Sequence, residues 1–371
     1  LRLGLLRYWI LSSGLQPGRC NRKGKRVIKA FQSVTVGVKD AECSRRFYGE
    51  LLGFNNLLGD STDYLEELKP VIGALVQARM ITLSEKASRS ILQIVEHTST
   101  KPLQAQEPIA WGDSGYLELG LRAFRLQELY LDLKSRGVDF VTPVRRMETS
   151  SRGRELYAYL RDPDGLLLQL VEIPGGKRPQ VAGIAQVGVG VADMKKAREF
   201  YGNLLGLGET MYEFKGRLPE LEDVTGGKDI EITLLGRDAT GALQYRQSPM
   251  VKLIYTPGYK GKPVLEDRRW GDIGLSEMAL RVKDLSGMVN RLLANGIELL
   301  NLPARAGPDA SAQDSFIYLR TPENGILKLL EETPQAASSN SPNTLRRALN
   351  KFREGAGTAR NSSRAHLEEE P

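Results

Sequence analysis

The chain settles into a regular rhythm at residues 33–38, where Val34, Val36 and Val38 alternate with Ser33, Thr35 and Gly37. Period two marks a half-buried strand, whose side chains point to opposite faces in turn. Residues 186–191 repeat it, with Val187, Val189 and Val191 against Gln186, Gly188 and Gly190. The period then lengthens. Met194, Ala197, Phe200, Tyr201, Leu204 and Leu205 recur at three- and four-residue spacing, which predicts a helix with one buried face. Asp40 and Asp193 stand where an N-cap carboxylate accepts the free amide protons of the first turn, and Gly53 and Gly206 follow the last turn. Further strands are predicted at Ile91–Val95, Met250–Ile254, Leu117–Arg122 and Glu277–Val282. Second helices are expected at Leu126–Ser135 and Leu285–Ala294. Each half closes with two strands around a turn, Asp162-Pro-Asp-Gly165 or Thr321-Pro-Glu-Asn-Gly325.

These patterns are two copies of one unit. SVTVGVKDAECSRRFYGELLGF, from Ser33, matches QVGVGVADMKKAREFYGNLLGL, from Gln186, at an offset of 153 residues. WGDSGYLELGLR, from Trp111, matches WGDIGLSEMALR, from Trp270, at an offset of 159, which persists from LRDPDGLLLQLVE at Leu160 to LRTPENGILKLLE at Leu319. The change of six residues is one insertion between the blocks. The expected organisation is a basic leader (1–27), a first domain (28–174), a linker (175–181), a second domain (182–333) and a polar basic tail (334–371) with a short helix.

Composition narrows the class without changing this picture. With 371 residues, 41% hydrophobic and 26% charged, the chain is long enough for two ordinary globular domains. No apolar run is long enough to span a bilayer; the stretch from Leu3 to Leu15 is short and broken by Arg7. The net charge of +7 is concentrated at the ends: residues 1–39 hold no acid, and the tail adds Arg346, Arg347, Lys351, Arg353, Arg360 and Arg364. Such ends read as solvated and mobile, so nucleic-acid binding is not expected of the domains; an organelle-targeting leader is the alternative for residues 1–27. The chain does not begin with Met, so a processed or shortened start stays open. Cys20 and Cys43 form no disulfide framework or thiolate zinc site, and a reducing compartment, the cytoplasm, is the default.

The strand–helix–strands order, the FYG-x-LLG helix and the LRDPDG turn resemble the vicinal-oxygen-chelate superfamily, the group of glyoxalases, bleomycin-resistance proteins and extradiol dioxygenases. The resemblance covers residues 28–174 and 180–333. It implies an α+β fold of two tandem glyoxalase-like domains, each a pair of βαβββ units curled into a cup. Metal ligands in that family project inward from the first, fourth, fifth and eighth strands. Those positions fall here at Ser33, Gln93, Glu118 and Gln169 in the first copy, and at Gln186, Lys252, Glu277 and Lys328 in the second.

The dioxygenase chemistry implied by the family needs two His and a carboxylate. This chain holds two His in all, His97 and His366 in the tail. Glyoxalase I sites use His or Gln with two Glu, so Gln93, Glu118 and Gln169 make a weak set for nickel, zinc, iron or manganese in the first cup. No metal is expected in the second, where ammonium groups carry no lone pair. Glu118 is the candidate catalytic base, with a salt bridge to Arg122 or another partner, or metal ligation, as alternatives. Arg122, Gln186, Lys252, Glu277, Arg281 and Lys328 are the candidate substrate-binding residues. Glu277 with Lys252 and Lys328 also reads as a cup-floor ion pair with an ammonium at the metal position. His97 reads as a surface or edge residue, Trp111 and Trp270 as packing. Three functions are therefore open. One is a glyoxalase-like lyase or isomerase acting on a small carbonyl or thiol adduct, with the first cup working. A second is a metal-free module that sequesters a small molecule, as bleomycin-resistance proteins do. The third is an interaction protein using its basic ends. The two copies are expected to pair as family dimers do, as a monomer or homodimer, so that a cup assembled between copies is a further possibility.

Overall fold

In the computed structural model, residues 28–331 are described apart from 87, 89, 106–108, 150–152, 238–247, 267, 302 and 306–314. The leader, the whole of the tail, His366 and Cys20 lie outside the described residues.

The first valine rhythm forms β1 (Ile28–Gly37), followed by α1 (Ala41–Arg46). Asp40 caps α1 by accepting from the backbone N–H of Glu42 and Cys43. Beyond Arg46 the helix widens, and Leu52 donates to the carbonyl of Phe47, five residues back. Next come β2 (Asn56–Tyr64), β3 (Gln77–Ser84), β4 (Ile91–His97) and β5 (Gly115–Phe124). Helix α2 (Leu126–Ser135) then leads to β6 (Arg145–Thr149), β7 (Gly153–Arg161) and β8 (Leu167–Glu172). The second copy repeats this order. It starts with β9 (Gln180–Gly190), which includes the last residues expected of the linker, and α3 (Met194–Ala197), which widens over Arg198–Leu204. It continues with β10 (Glu209–Gly216), β11 (Ile230–Gly236), β12 (Met250–Tyr255) and β13 (Gly274–Val282). It ends with α4 (Leu285–Ala294), β14 (Ala304–Arg305), β15 (Ser315–Arg320) and β16 (Ile326–Glu331). At the final turn Asn324, not Gly325, takes the left-handed conformation that Gly165 takes in the first copy.

The sheets do not follow the copies. One eight-stranded sheet runs β14-β15-β16-β13-β1-β4-β3-β2, and the other β10-β11-β12-β9-β5-β8-β7-β6. Each therefore joins the first half of one copy to the second half of the other. The seams are antiparallel: β1 on β13, with Thr35 opposite Glu277, and β5 on β9, with Glu118 opposite Gly188. Grouping the inward residues copy by copy is corrected by this pairing, and the expectation that the fused copies pair with each other is met.

Alternation decides which residues enter the cups. Val34, Val36, Val187 and Val189 join one large central core with Tyr48, Tyr201 and the buried faces of α2 and α4. Thr35 and Gln186 lie on the other face, buried within the cups. Each cup has its own apolar cluster, around Trp270, Phe316 and Tyr318 in one and Trp111, Tyr157 and Tyr212 in the other. Two quasi-equivalent links tie the sheets: the Tyr48 hydroxyl donates to Asp162 at 2.8 Å, and that of Tyr201 to Glu323 at 3.0 Å. No helix among the described residues is long and apolar enough to cross a membrane.

Candidate functional site

The sheet of β5–β12 carries a cavity of about 340 Å³. Its floor is built where β5, β8, β9 and β12 meet. Parallel pairing sets Gly120 beside Gln169 and Lys252 beside Gly188. The two strand glycines make room for this floor: a Cβ on Gly188 would lie 2.1 Å from the Glu118 side chain, and one on Gly120 would lie 2.4 Å from Gln186.

Lys252 is the centre of the site. Its side chain is 5% exposed, and its ammonium pairs with the fully buried carboxylate of Glu118. It also donates to the Tyr159 hydroxyl at 2.8 Å and to the amide oxygen of Gln169 at 3.1 Å. Gln186 donates to that same oxygen at 2.8 Å. The Trp111 ring lies beneath the ammonium, 4.9 Å from it. Burial pushes the Glu118 carboxyl up and the Lys252 ammonium down, and each charge opposes the shift of the other. Burial, followed by the charge of Glu118, pushes the Tyr159 hydroxyl well up.

Above this floor the walls are aromatic and aliphatic, with Tyr157, Tyr212, Phe214, Ile232, Leu234 and Met250 lining the cavity. Tyr157 is held by Glu220, its hydroxyl donating to that carboxylate at 2.5 Å. Arg122 also lines the space, but its guanidinium donates to the backbone carbonyls of Ile184 and of Ser248, the latter at 2.8 Å. Lys252, Gln169 and Gln186 line the cavity, whereas Glu118 lies behind the lysine.

The other cup gathers Ser33, Gln93, Glu277 and Lys328. Here the Trp270 indole donates to Glu277 at 2.8 Å, and the Thr35 hydroxyl donates to Gln93 at 3.1 Å. Lys328 is half-buried, 4.5 Å above the Phe316 ring and 5.0 Å above Tyr318. Burial pushes the Glu277 carboxyl up, with the Lys328 charge and the Trp270 bond acting against it. Arg281 donates to Gln32. The set Gln93, Glu118 and Gln169 does not converge, because Gln93 stands in this second cup. Glu277 likewise shares a cup with Lys328 and not with Lys252.

Sequence reasoning missed several contributors. Tyr157 and Tyr159 carry a readable signal, a period-two pair of aromatics on β7. Gly120 and Gly188 are also legible as strand glycines that admit a close neighbour. His97 is corrected from a surface residue to a 3%-exposed one. One ring nitrogen lies 3.1 Å from the Trp270 carbonyl and the other 3.6 Å from Asp272. Burial lowers its pKa, partly offset by Asp272. Trp270 is more than packing, since it supplies the hydrogen bond to Glu277. No group of three or more His, Cys, Asp or Glu fit to hold a metal occurs among the described residues.

Comparison with known proteins agrees with this architecture. Residues 185–318 match the model of the Glyoxalase/Bleomycin resistance protein/Dioxygenase superfamily. Glyoxalase I from Zea mays is similar over 81% of this chain and 92% of its own, with 16% identity and a TM-score of 0.52. A point mutant of that maize enzyme is similar over 82% and 94%, also with 16% identity, at a TM-score of 0.54. A putative dioxygenase from Bacillus subtilis subsp. subtilis str. 168 is similar over 87% and 91%, with 13% identity and a TM-score of 0.53. At such identities these likenesses establish the fold alone. A comparison with curated proteins gives no match. Residues 185–318 of the second copy thus match the Glyoxalase/Bleomycin resistance protein/Dioxygenase superfamily, their blocks recur in the first copy, and the two copies together share the glyoxalase-like fold.

Proposed function

We propose that the cup of β5–β12 is a metal-free binding site for a small molecule. The observation that carries this reading is the Lys252 ammonium among Glu118, Tyr159 and Gln169, at a strand position where the family resemblance places a metal ligand. An ammonium has no lone pair to give, and its positive charge already neutralises the one carboxylate of the floor. The donor set that remains, two amides and a phenol, does not fit a divalent transition metal. The cavity is of small-molecule size, apolar-walled with a few convergent polar groups, as binding pockets usually are. Glu118 serves as the counter-ion of Lys252, and its place behind the lysine keeps it from taking a proton from a bound molecule.

Two measurements on the purified full chain test this. After incubation with nickel, zinc, iron and manganese and then desalting, elemental mass spectrometry is expected to find no stoichiometric retention. A small aromatic probe is expected to change the tyrosine and tryptophan fluorescence, and Ile232→Trp, which fills the cavity, abolishes the change. Near-stoichiometric metal lost on Glu118→Gln would overturn the reading in favour of a metal-assisted lyase or isomerase.

A further inference from the structure

The floor of the cavity specifies the polar group it will accept, an inference that rests on the binding role just proposed. A lysine ammonium has three protons and no acceptor. All three of Lys252 are engaged, by Glu118, Tyr159 and Gln169. Because Lys252 can only donate, the group that Gln169 turns towards it must be its oxygen. That oxygen accepts again, from the amide nitrogen of Gln186 at 2.8 Å, which uses both of its lone pairs. The orientation of both amides is therefore fixed by the lysine and is not a free choice of rotamer.

What remains for a ligand follows. Gln169 offers its amide N–H groups and Gln186 offers its amide oxygen, from side chains on neighbouring inward positions of the cavity floor. Lys252 offers no free proton, and its charge is balanced by Glu118. The nitrogens of Arg122 that reach carbonyl oxygens of Ile184 and Ser248 are spent on the backbone. The wall carries a carboxylate at Glu220 and, exposed at its edge, the guanidinium of Arg146, so the choice of polar group rests with the floor. An anion would leave water for a floor that has one acceptor facing it and no uncommitted ammonium proton, which is costly.

We infer that the cup selects a neutral ligand whose polar head carries an acceptor and a donor side by side, a carboxamide or lactam group. Its body is flat and apolar, lying among Tyr157, Tyr212 and Phe214. The acceptor takes a proton from Gln169 and the donor gives one to Gln186. A ketone satisfies only the first, and a carboxylate sets its second oxygen against the oxygen of Gln186. A buried acceptor left without a donor disfavours both alternatives.

Benzamide, acetophenone and benzoate, titrated into the full chain by calorimetry, separate these cases. Benzamide is expected to bind about tenfold more tightly than acetophenone, and benzoate more weakly than benzamide. In Gln186→Met, which keeps length and burial, benzamide falls to the level of acetophenone while acetophenone is unchanged. The wild-type order of the three probes needs no variant, so a misfolded Gln186→Met does not protect the proposal. Benzoate or acetophenone binding as tightly as benzamide would overturn the carboxamide preference and leave the binding cup standing. Failure of all three probes to bind would overturn the cup as a binding site, and this preference with it.

Discussion

The two cups are built from equivalent strands and almost the same residues, yet their charges are wired differently. Each has a glutamate on its fifth-strand position, a tryptophan before it, one lysine and one glutamine at the matching positions. In the β5–β12 cup the lysine comes from β12 and the glutamine from β8, with a second glutamine, Gln186, on β9; in the other the glutamine comes from β4 and the lysine from β16, with Ser33 on β1. One seam residue accompanies the switch. Gly188 lies opposite Glu118, leaving the carboxylate over bare backbone where it meets Lys252. Thr35 lies opposite Glu277, and that carboxylate takes the Trp270 indole instead. The equivalent indole nitrogen of Trp111 is buried with no hydrogen-bond partner among the described residues. A duplicated site thus diverges by changing which neighbour its one acid selects, with the acid itself retained.

The largest effect should come from taking away the lysine. Lys252→Met leaves Glu118 as a buried charge without its partner and is expected to cost about 3–5 kcal/mol in urea denaturation. Lys328→Met is expected to cost under about 1 kcal/mol, since Lys328 is half-buried and Glu277 keeps its bond to Trp270. Equal losses in the two cups would break the comparison.

The inter-sheet links differ in the same spirit, and pH separates them. Burial raises Asp162 from 3.8 to about 6 and Glu323 from 4.5 to about 7, with the tyrosine hydrogen bonds pulling the other way. A carboxyl that holds its proton more tightly when folded adds stability at low pH and loses it as pH rises. The contribution of Asp162 is full below pH 3.8 and lost through about 6; that of Glu323 is full below 4.5 and lost through about 7. Each is worth about 3 kcal/mol at most. Asp162→Asn and Glu323→Gln should each flatten the dependence of stability on pH, the second over the higher range. A variant that follows the wild-type slope would remove its link from the explanation.

Next in size is the seam. Gly188→Thr is expected to cost about 1–3 kcal/mol through overpacking against Glu118, and to abolish probe binding in the cavity. Thr35→Gly should leave probe binding unchanged. The smallest contrast is between the indoles. Trp270→Phe removes a hydrogen bond from a buried carboxylate and should cost about 1 kcal/mol more than Trp111→Phe, by thermal or urea unfolding.

Much of the fold was legible because it rests on local periodicity. The valines of β1 and β9, the caps Asp40 and Asp193 and the repeated blocks are patterns within a few residues, and they led to the right elements and to the superfamily that residues 185–318 match. The inward positions were legible too, that of Gln186 from strand alternation and those of Glu118, Gln169 and Lys252 from the family resemblance. Their grouping was not. Which βαβββ half meets which depends on seams between residues far apart in the chain, such as Thr35 with Glu277, and nothing local records that choice. The error had a chemical consequence: grouping by copy puts Lys252 and Lys328 together, whereas pairing across copies gives each cup one lysine and one carboxylate. His97 went unread for the same reason, because the groups that bury it, Trp270 and Asp272, come from the other copy.

A double-mutant cycle tests that pairing most directly. Glu118→Gln and Lys252→Met, measured singly and together by urea denaturation, should couple by more than about 2 kcal/mol, since each removes the partner of the other. Glu277→Gln with Lys252→Met should be additive within about 0.5 kcal/mol, because those residues stand in different cups. Strong coupling of Lys252 to Glu277 and none to Glu118 would contradict assembly of the cups across the two copies.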